Sequence, residues 1–350
     1  MESPQRLALK KRRICAEYES PFDGFQKVRV SGEIRECPLS GHVTRILPYR
    51  IKEFARIDLA PLIERSREAG CPFCPEAIEI KTPRFLPGFA EGSGRIVVGE
   101  TTLFPNAFPY DEWSAVAVIS REHFLALGDF QPQLFANGLR ACRIYLEKTL
   151  EFSPGAPYAL VNWNYLPMAG AGLVHPHLQV AAFPEPTVYQ RSIIERQREY
   201  EKRGGGSLVA DLLAVERADS ARYIAALGKW HWLMAYAPRG VYEFWAISGD
   251  PGDILRAEEK DLRDLAQGIC LILRYLDGKG VQALNLSWYS FLSPEDHALR
   301  DMLSILPRVS FPPFGTSDIN YFDRLQGESI SFVLPEALTP EVRALFPKKD

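Results

Sequence analysis

The sequence predicts an α+β fold in which one unit of strands and helices is used twice. Each half of the chain runs in the order strands, helix, strands, judged from alternating apolar runs and from apolar residues at helical spacing. The chain has 350 residues, of which 46% are hydrophobic, so both units can bury a core. We therefore predict one unit at residues 1–190 and a second at residues 191–350.

The first unit opens with short alternating runs and turns at residues 25–48. A short helix then ends at Gly70, ahead of a knuckle bounded by prolines. Two strands follow, RIVVGET and SAVAVIS, and then a helix over residues 131–152 with apolar residues at helical spacing. The unit closes with the strands YALVNWN and HPHLQVAAFP, which are joined by a glycine-rich turn.

The second unit repeats this order. A charged helix, TVYQRSIIERQREYEKRGG, stops at three glycines, residues 204–206, which are typical of a linker. Two strands surround a Pro-Arg-Gly turn in WHWLMAYAPRGVYEFWAIS, and residues 257–280 form a helix with an apolar face. The strand ALNLSWYSFL follows. This half has no counterpart of the His-x-His of the first half.

The composition argues against several classes of protein. A net charge of -3 and a pI near 6.1 lack the basic excess of a general nucleic-acid or membrane-surface binder. The basic run at residues 10–13 is the local exception, and it is either a solvated face or a contact for an anion or a partner. No apolar run reaches the roughly 18 residues that span a bilayer, and the start lacks a signal-peptide core, so we expect a cytoplasmic protein.

The stretch AGAGLVHPHLQV, residues 169–180, holds two of the six histidines within three positions. In a strand, His175, His177 and Gln179 point to one face, with neighbours about 7 Å apart. An imidazole in this setting can be a nucleophile, a base or a metal ligand. The neutral amide of Gln179 can donate to an anionic oxygen without changing charge.

Glycines precede this motif. Gly170 and Gly172 suit a sharp turn, and exposed amides in such a turn bind phosphate. Glycines and imidazoles together indicate attack by an imidazole on phosphorus. A structural metal site, or a pair of half-buried histidines, remains an open alternative at this point.

Two of the six cysteines, Cys71 and Cys74, form Cys-x-x-Cys, and six cysteines are too few for a disulfide framework in so long a chain. Two thiolates can bind one tetrahedral zinc if two further ligands exist, and candidates include His123 and His175. A redox pair is the alternative. The strand-to-helix context of thioredoxin-like motifs is missing here.

Five segments, in this order along residues 36–180, resemble the galactose-1-phosphate uridylyltransferase family, the transferase branch of the histidine-triad superfamily. They are the stretches CPLSGHVTRILPYR, CPFCPE, FPNAFP, ISREHFLAL and NYLPMAGAGLVHPHLQ. The resemblance implies two histidine-triad-like units in tandem, each a twisted antiparallel sheet with packed helices. It also implies a homodimer in which the carboxyl-terminal half completes the partner's site.

The resemblance also implies roles for single residues. His177 would attack the α-phosphorus of a nucleotide sugar, and Gln179 would bind a non-bridging phosphate oxygen. Arg50 and Asn164 would bind phosphate, together with the turn that holds Gly170 and Gly172. Asn106 and Phe108 would contact the nucleoside. Zinc, or iron as the alternative metal, would be bound by Cys71, Cys74, His123 and His175.

Some positions depart from the family pattern. Gly172 replaces a serine, and Ala107 replaces the aspartate of an Asn-Asp-Phe loop. The histidines of the family's second metal site are not found, since Arg308 and Val309 occupy the stretch that resembles it, so one metal site is expected. These departures affect which substrate the protein would bind more than which reaction it would catalyse.

The resulting prediction is an enzyme that moves UMP or AMP from a nucleotide sugar to a sugar 1-phosphate or to phosphate. An ADP-sugar phosphorylase or adenylyltransferase is one alternative, and a non-catalytic nucleotide-binding zinc scaffold is another. A hydrolase is disfavoured because Gln179 cannot replace the third histidine of the hydrolase branch as a proton donor. No nucleic acid or membrane partner is expected.

Overall fold

The computed structural model describes residues 7–49, 56–311 and 316–347. The helices in these ranges are α1 (Ala60–Glu68), α2 (Pro75–Lys81), α3 (Pro132–Phe152), α4 (Val188–Lys202), α5 (Leu208–Asp219), α6 (Glu259–Gly278) and α7 (Pro335–Arg343). The strands are β1 (Lys11–Ser20), β2 (Gln26–Glu36), β3 (Val43–Ile46), β4 (Ile96–Val98), β5 (Thr101–Pro105), β6 (Trp113–Val118), β7 (Tyr158–Tyr165), β8 (His177–Phe183), β9 (Tyr223–Leu227), β10 (Trp230–Met234), β11 (Phe244–Ser248), β12 (Ala283–Phe291), β13 (Met302–Arg308), β14 (Ser310–Phe311), β15 (Thr316–Ser317) and β16 (Ser329–Ser331).

Ten of these strands form one sheet, in the order β4-β5-β6-β8-β7-β12-β13-β11-β10-β9. The first five come from the amino-terminal half of the chain and the last five from the carboxyl-terminal half. Each half contributes a three-stranded meander, a long helix and two more strands, and the two halves meet where β7 pairs antiparallel with β12. The predicted repetition of one α+β unit is therefore confirmed, and the two copies share a continuous sheet.

The two long helices cover one face of this sheet. Apolar residues of α3 and α6 pack with alternate residues of the central strands in one hydrophobic cluster, among them Leu178 and Val180 of β8 and Trp163 of β7. Because successive side chains of a strand point to opposite faces, His177 and Gln179 lie on the other face of the sheet. The long helices thus cover one face, and the polar residues lie on the other face, which carries smaller apolar clusters as well.

A second sheet has the order β1-β2-β3-β16. It attaches to the carboxyl-terminal half through backbone carbonyls of residues 236–238: Arg35 donates to Tyr236 at 3.1 Å, and Thr44 donates to Pro238 at 2.9 Å. The two side chains are buried. These bonds tie the start of the chain to its second half.

Two details differ from the sequence predictions. Strand β8 begins at His177, so His175 precedes the strand, and the proline between them, Pro176, has no N–H to donate to a ladder. The glycines at 204–206 join α4 to α5, so they connect two helices of one half. In the described part of the chain, no helix is both long and apolar enough to cross a bilayer.

Candidate active site

Strand β8 lies between β6 and β7 near the middle of the large sheet. His177 is opposite Val118 of β6, and Gln179 is opposite both Val116 of β6 and Asn162 of β7. Gln179 is held by ladders on both sides, and His177, at the start of the strand, is held by the ladder with β6. The two side chains that were predicted to share a face therefore sit on a rigid part of the molecule.

His177 is 7% exposed, and its Nδ1 lies 2.7 Å from the backbone oxygen of His175. A carbonyl oxygen only accepts, so Nδ1 carries the proton and Nε2 keeps its lone pair. Burial lowers the pKa of this imidazole, which favours the neutral form. The arrangement presents one unprotonated ring nitrogen that can act as a nucleophile.

The four predicted metal ligands come together. One ligand atom from each of Cys71, Cys74, His123 and His175 lies within 4.8 Å of the others. Cys74 Sγ is 3.3 Å from Nδ1 of His123, and both sulfurs are 3.7 Å from Nδ1 of His175. Tetrahedral zinc with Zn–S near 2.3 Å and Zn–N near 2.0 Å separates a sulfur from a nitrogen by about 3.5 Å, so these spacings fit.

The orientation of the His175 ring and the protonation of the Cys74 thiol are also consistent with a bound metal. Nε2 of His175 donates to the backbone oxygen of Ser120 at 2.8 Å, which leaves Nδ1 as the ligand atom and fixes the ring. Burial, together with the neighbouring thiol of Cys71, raises the pKa of Cys74 to about 12. A divalent cation would offset that penalty and hold the thiolates. The donor set of two sulfurs and two imidazoles is one that zinc accepts.

Phe73, between the two cysteines, contacts the nucleophile candidate. Its ring centroid is 5.2 Å from that of His177 and 5.5 Å from that of Phe104, both edge to face. The knuckle therefore packs on the His177 ring as well as gathering metal ligands. Sequence analysis passed over Phe73, although its place inside Cys-x-x-Cys was a signal.

A row of polar side chains crosses the middle of the sheet. Gln179, Asn162, Ser287 and Ser304 are successive cross-strand neighbours on β8, β7, β12 and β13. Ser287 donates to the side chain of Asn162 at 2.6 Å. The row connects the two halves, and sequence analysis missed it because its members belong to four separated strands.

The neighbouring row holds another predicted residue. Asn164 is opposite Asn285, whose side-chain amide donates to it at 2.7 Å and to the backbone oxygen of Ala169 at 2.9 Å. Arg308 donates to the oxygen of Asn285 at 3.1 Å and pairs with Asp318 at 2.9 Å. Asn164 is thus positioned by the carboxyl-terminal half.

The other predicted site residues lie in loops. The side chain of Asn106 accepts from the backbone of Phe108 at 2.9 Å, which makes a tight turn with Phe108 86% exposed. Gly170 has a φ of +90° and ends the turn after β7, and its amide donates to Pro167. A Cβ on Gly172 would meet open space. Arg50 lies outside the described residues.

No family model matches the chain. A protein of Archaeoglobus fulgidus, described as an uncharacterized protein, is 31% identical over 314 residues, which cover 90% of this chain and 92% of that protein. This level of identity over nearly the whole length places the two chains in one family.

Solved structures share the fold. An ADP-glucose phosphorylase from Arabidopsis thaliana with bound ADP-glucose is 17% identical, with 89% of this chain and 98% of that chain covered and a TM-score of 0.70. A galt-like protein from Arabidopsis thaliana is 18% identical, with coverages of 90% and 99% and a TM-score of 0.70. A uridylyltransferase is 17% identical, with coverages of 89% and 98% and a TM-score of 0.62. The fold predicted from the resemblance is confirmed.

Proposed function

Because the chain belongs to one family with the Archaeoglobus fulgidus protein and has the uridylyltransferase fold, we propose that it transfers a nucleoside monophosphate through His177. The donor is a nucleotide sugar that carries UMP or AMP. The acceptor is a sugar 1-phosphate or inorganic phosphate. The first unit, residues 1–190, supplies the nucleophile and metal ligands, and the second, residues 191–350, supplies groups that position them.

One observation carries this proposal: the Nδ1 proton of His177 is held by the His175 carbonyl, so Nε2 is free to attack. In the first step, Nε2 forms a bond to the α-phosphorus, and the bond from that phosphorus to the bridging oxygen breaks. The sugar 1-phosphate leaves with that electron pair. The His175 carbonyl then stabilises the positive charge that the ring gains.

In the second step, a phosphate oxygen of the acceptor attacks the same phosphorus, and the bond to Nε2 breaks. The lone pair returns to His177. Gln179, two residues along the same face, supports transfer because its amide donates to the non-bridging oxygens where charge increases, and its own charge never changes. Asn162 lies opposite Gln179 on β7, and its own side chain accepts from Ser287.

Metal bound by Cys71, Cys74, His123 and His175 would supply a structural cross-link. Zinc suits the donor set, and iron is an alternative. The cross-link would fix His175, whose carbonyl orients the nucleophile, and no bond of the substrate is made or broken at it.

The test is the intact mass of the protein after brief incubation with UDP-glucose, or with ADP-glucose, in the absence of acceptor. A gain of one UMP or one AMP is expected, and the donor that gives it identifies the base. His177→Ala should form no adduct, while His297→Ala, which removes an exposed imidazole, should behave as wild type. In single-turnover experiments, Gln179→Ala should slow adduct formation by about 100- to 1,000-fold.

An adduct in folded His177→Ala would exclude the covalent mechanism. The proposal would also fail if wild-type protein, shown by calorimetry to bind a donor, gave no adduct at any time point. Addition of glucose 1-phosphate, or of phosphate, to isolated adduct then identifies the acceptor, because only the true acceptor returns the protein to its original mass.

A further inference from the structure

Asn285 on β12 makes hydrogen bonds to three other residues. Its side-chain nitrogen donates to Oδ1 of Asn164 at 2.7 Å and to the backbone oxygen of Ala169 at 2.9 Å. Its side-chain oxygen accepts from Arg308 at 3.1 Å. A side-chain amide has two N–H donors, so both donors of Asn285 are used.

These partners allow one orientation of the Asn285 amide. A backbone carbonyl only accepts and a guanidinium only donates, so the nitrogen faces Ala169 and the oxygen faces Arg308. The reversed amide would place oxygen against oxygen on one side and N–H against N–H on the other. The chemistry of the partners therefore decides which end of the amide faces β7.

The guanidinium of Arg308 is itself held in place. Its Nε donates to Oδ2 of Asp318 at 3.1 Å, and its Nη2 donates to Oδ1 at 2.9 Å. The same carboxylate accepts from the backbone N–H of Val309 at 3.2 Å. The side chains of Arg308 and Asp318 are 14% and 8% exposed, so this two-pronged ion pair is largely buried.

Asn164 has to turn its oxygen toward Asn285, because Asn285 presents only N–H on that side. The two N–H groups of Asn164 are then left over. They donate to no group among the residues that the structure describes, and the side chain is half-buried. Unused N–H donors at a half-buried position can bind an anionic oxygen.

These donors lie on the face of the sheet that carries the nucleophile candidate. Asn162 on β7 is opposite Gln179 on β8, and the two strands are antiparallel. Toward one and the same edge, the next residues on this face are Asn164 and His177. The amide of Asn164 and the ring of His177 therefore border the same region, in which the phosphate of a nucleotide sugar would bind.

We propose that Asn285 is a positioning residue for phosphate recognition, because it makes Asn164 present N–H and not oxygen to the substrate. This role rests on the proposed function, since it requires a phosphate beside His177. Asn285 acts through Asn164 and does not touch the substrate. The second unit thereby decides that this part of the site in the first unit binds an anion.

The test is the affinity for UDP-glucose and for ADP-glucose, measured by calorimetry in protein that carries His177→Ala, so that no bond to phosphorus forms. Asn285→Asp keeps the oxygen that Arg308 contacts and removes both N–H donors. Because a carboxylate only accepts, Asn164 should reverse its amide and point its oxygen at the phosphate. The affinity for whichever nucleotide sugar binds should fall by about 10- to 100-fold.

Asn285→Ala is the matched comparison. It removes all three hydrogen bonds and leaves Asn164 able to turn either way, so it should weaken binding less than Asn285→Asp does. A purely structural role predicts the opposite order, because aspartate matches asparagine in size and accepts a stronger, charge-assisted bond from Arg308.

Asn164→Ala separates orientation from charge. A new carboxylate also repels the phosphate, but this repulsion does not need Asn164. When Asn164→Ala is already present, Asn285→Asp and Asn285→Ala should each change the affinity by no more than about threefold. The comparison with Asn285→Ala decides the question even if the aspartate variant does not fold.

Three results would overturn the proposal. One is an equal loss of affinity on Asn285→Asp with and without Asn164. Another is a smaller loss from Asn285→Asp than from Asn285→Ala. The third is an unchanged affinity in Asn164→Ala, which means that no phosphate contacts that residue.

Failure of the proposed function has a different signature. Protein that binds a nucleotide sugar but forms no adduct would contradict transfer through His177, and the affinities of the Asn285 variants would still be measured. Protein that binds neither nucleotide sugar would contradict both proposals. Equal losses with and without Asn164 would contradict the positioning role alone.

Discussion

Two histidines that are two residues apart have opposite tautomers in this site. His175 donates from Nε2 to Ser120, and His177 donates from Nδ1 to His175. Each ring therefore keeps a different nitrogen unprotonated: Nδ1 of His175 in the metal-ligand cluster, and Nε2 of His177, the proposed nucleophile. The two histidines of one motif thus have different proposed roles, because each ring is fixed by a different backbone carbonyl.

At the residue scale, we predict that Cys71→Ser lowers metal content. A hydroxyl is a poorer ligand than a thiolate for zinc, so the metal affinity should fall by more than the roughly 10- to 100-fold that loss of an outer-shell partner costs. Cys142→Ser is the control, since that thiol lies in the core away from the cluster. Mass spectrometry of bound metal should find about one ion per chain in wild type and in the control.

Loss of stability should accompany loss of metal in Cys71→Ser, because metal binding and folding are linked. The control should lose stability with its metal retained. If wild-type protein purified without chelators contains neither zinc nor iron, the four-ligand site is wrong.

At the element scale, the packing of helix α6 against the sheet depends on a glycine. A Cβ on Gly268 would overlap the indole ring of Trp232 on β10, whereas a Cβ on Gly278, the last residue of the same helix, would meet no atom within 4 Å. The first glycine permits close packing of helix on sheet. The second does not have this function.

The two alanine variants of α6 should therefore have opposite effects. Gly268→Ala should destabilise the protein by at least about 1 to 3 kcal/mol, because overpacking outweighs the gain in helix propensity. Gly278→Ala should be neutral or stabilising by up to about 1 kcal/mol. The free energy of unfolding from denaturant titration measures both, and equal effects would contradict the packing argument.

At the scale of the whole molecule, a buried ion pair contacts the polar row at its last residue, Ser304. Glu243, 0% exposed, accepts from Arg239 at 2.7 Å, from Ser304 at 2.6 Å and from Trp245 at 2.8 Å. Arg239 is the principal cause that lowers the pKa of Glu243 from 4.5 to about 2, against the opposing effect of burial. The pair is bonded to two strands of the carboxyl-terminal half, β11 through Trp245 and β13 through Ser304.

The pH dependence of stability follows from that pKa. A carboxylate whose pKa is lowered by folding stabilises the protein fully above its unfolded pKa, and this stabilisation is lost as the pH falls through the folded pKa. For Glu243 the window runs from pH 4.5 down to about 2. Glu243→Gln should cost about 3 to 5 kcal/mol near pH 7, since it leaves Arg239 without its counter-charge.

The difference in unfolding free energy between wild type and Glu243→Gln should shrink between pH 4.5 and 2. Thermal or urea unfolding at a series of pH values measures it. A difference that stays constant across this range would show that the stabilisation by Glu243 does not come from its charge.

Local sequence determined the elements of the first half and the residue types at its candidate site. The apolar spacing predicted α3 and α6, and alternation predicted β7, β8 and β12, because these patterns reflect which face of each element is buried. The residues within the His-x-His-x-Gln motif, and those within the Cys-x-x-Cys motif, lie near one another because they are close in the chain. The joining of Cys71 and Cys74 to His123 was predicted through the resemblance, and the four ligand atoms do meet.

Tertiary structure alone decided the rest. The polar row from Gln179 to Ser304 depends on the registers of four strands that are far apart in sequence. The hydrophobic periodicity of one strand does not show which residue of another strand it is paired with. The tautomer of His177 depends on the hydrogen bond between its Nδ1 and the backbone carbonyl of His175, which the folded chain brings within 2.7 Å. Side-chain type is a property of the sequence, whereas the partner of each polar group is a property of the folded chain, and in this site the partner decides which imidazole nitrogen keeps its lone pair.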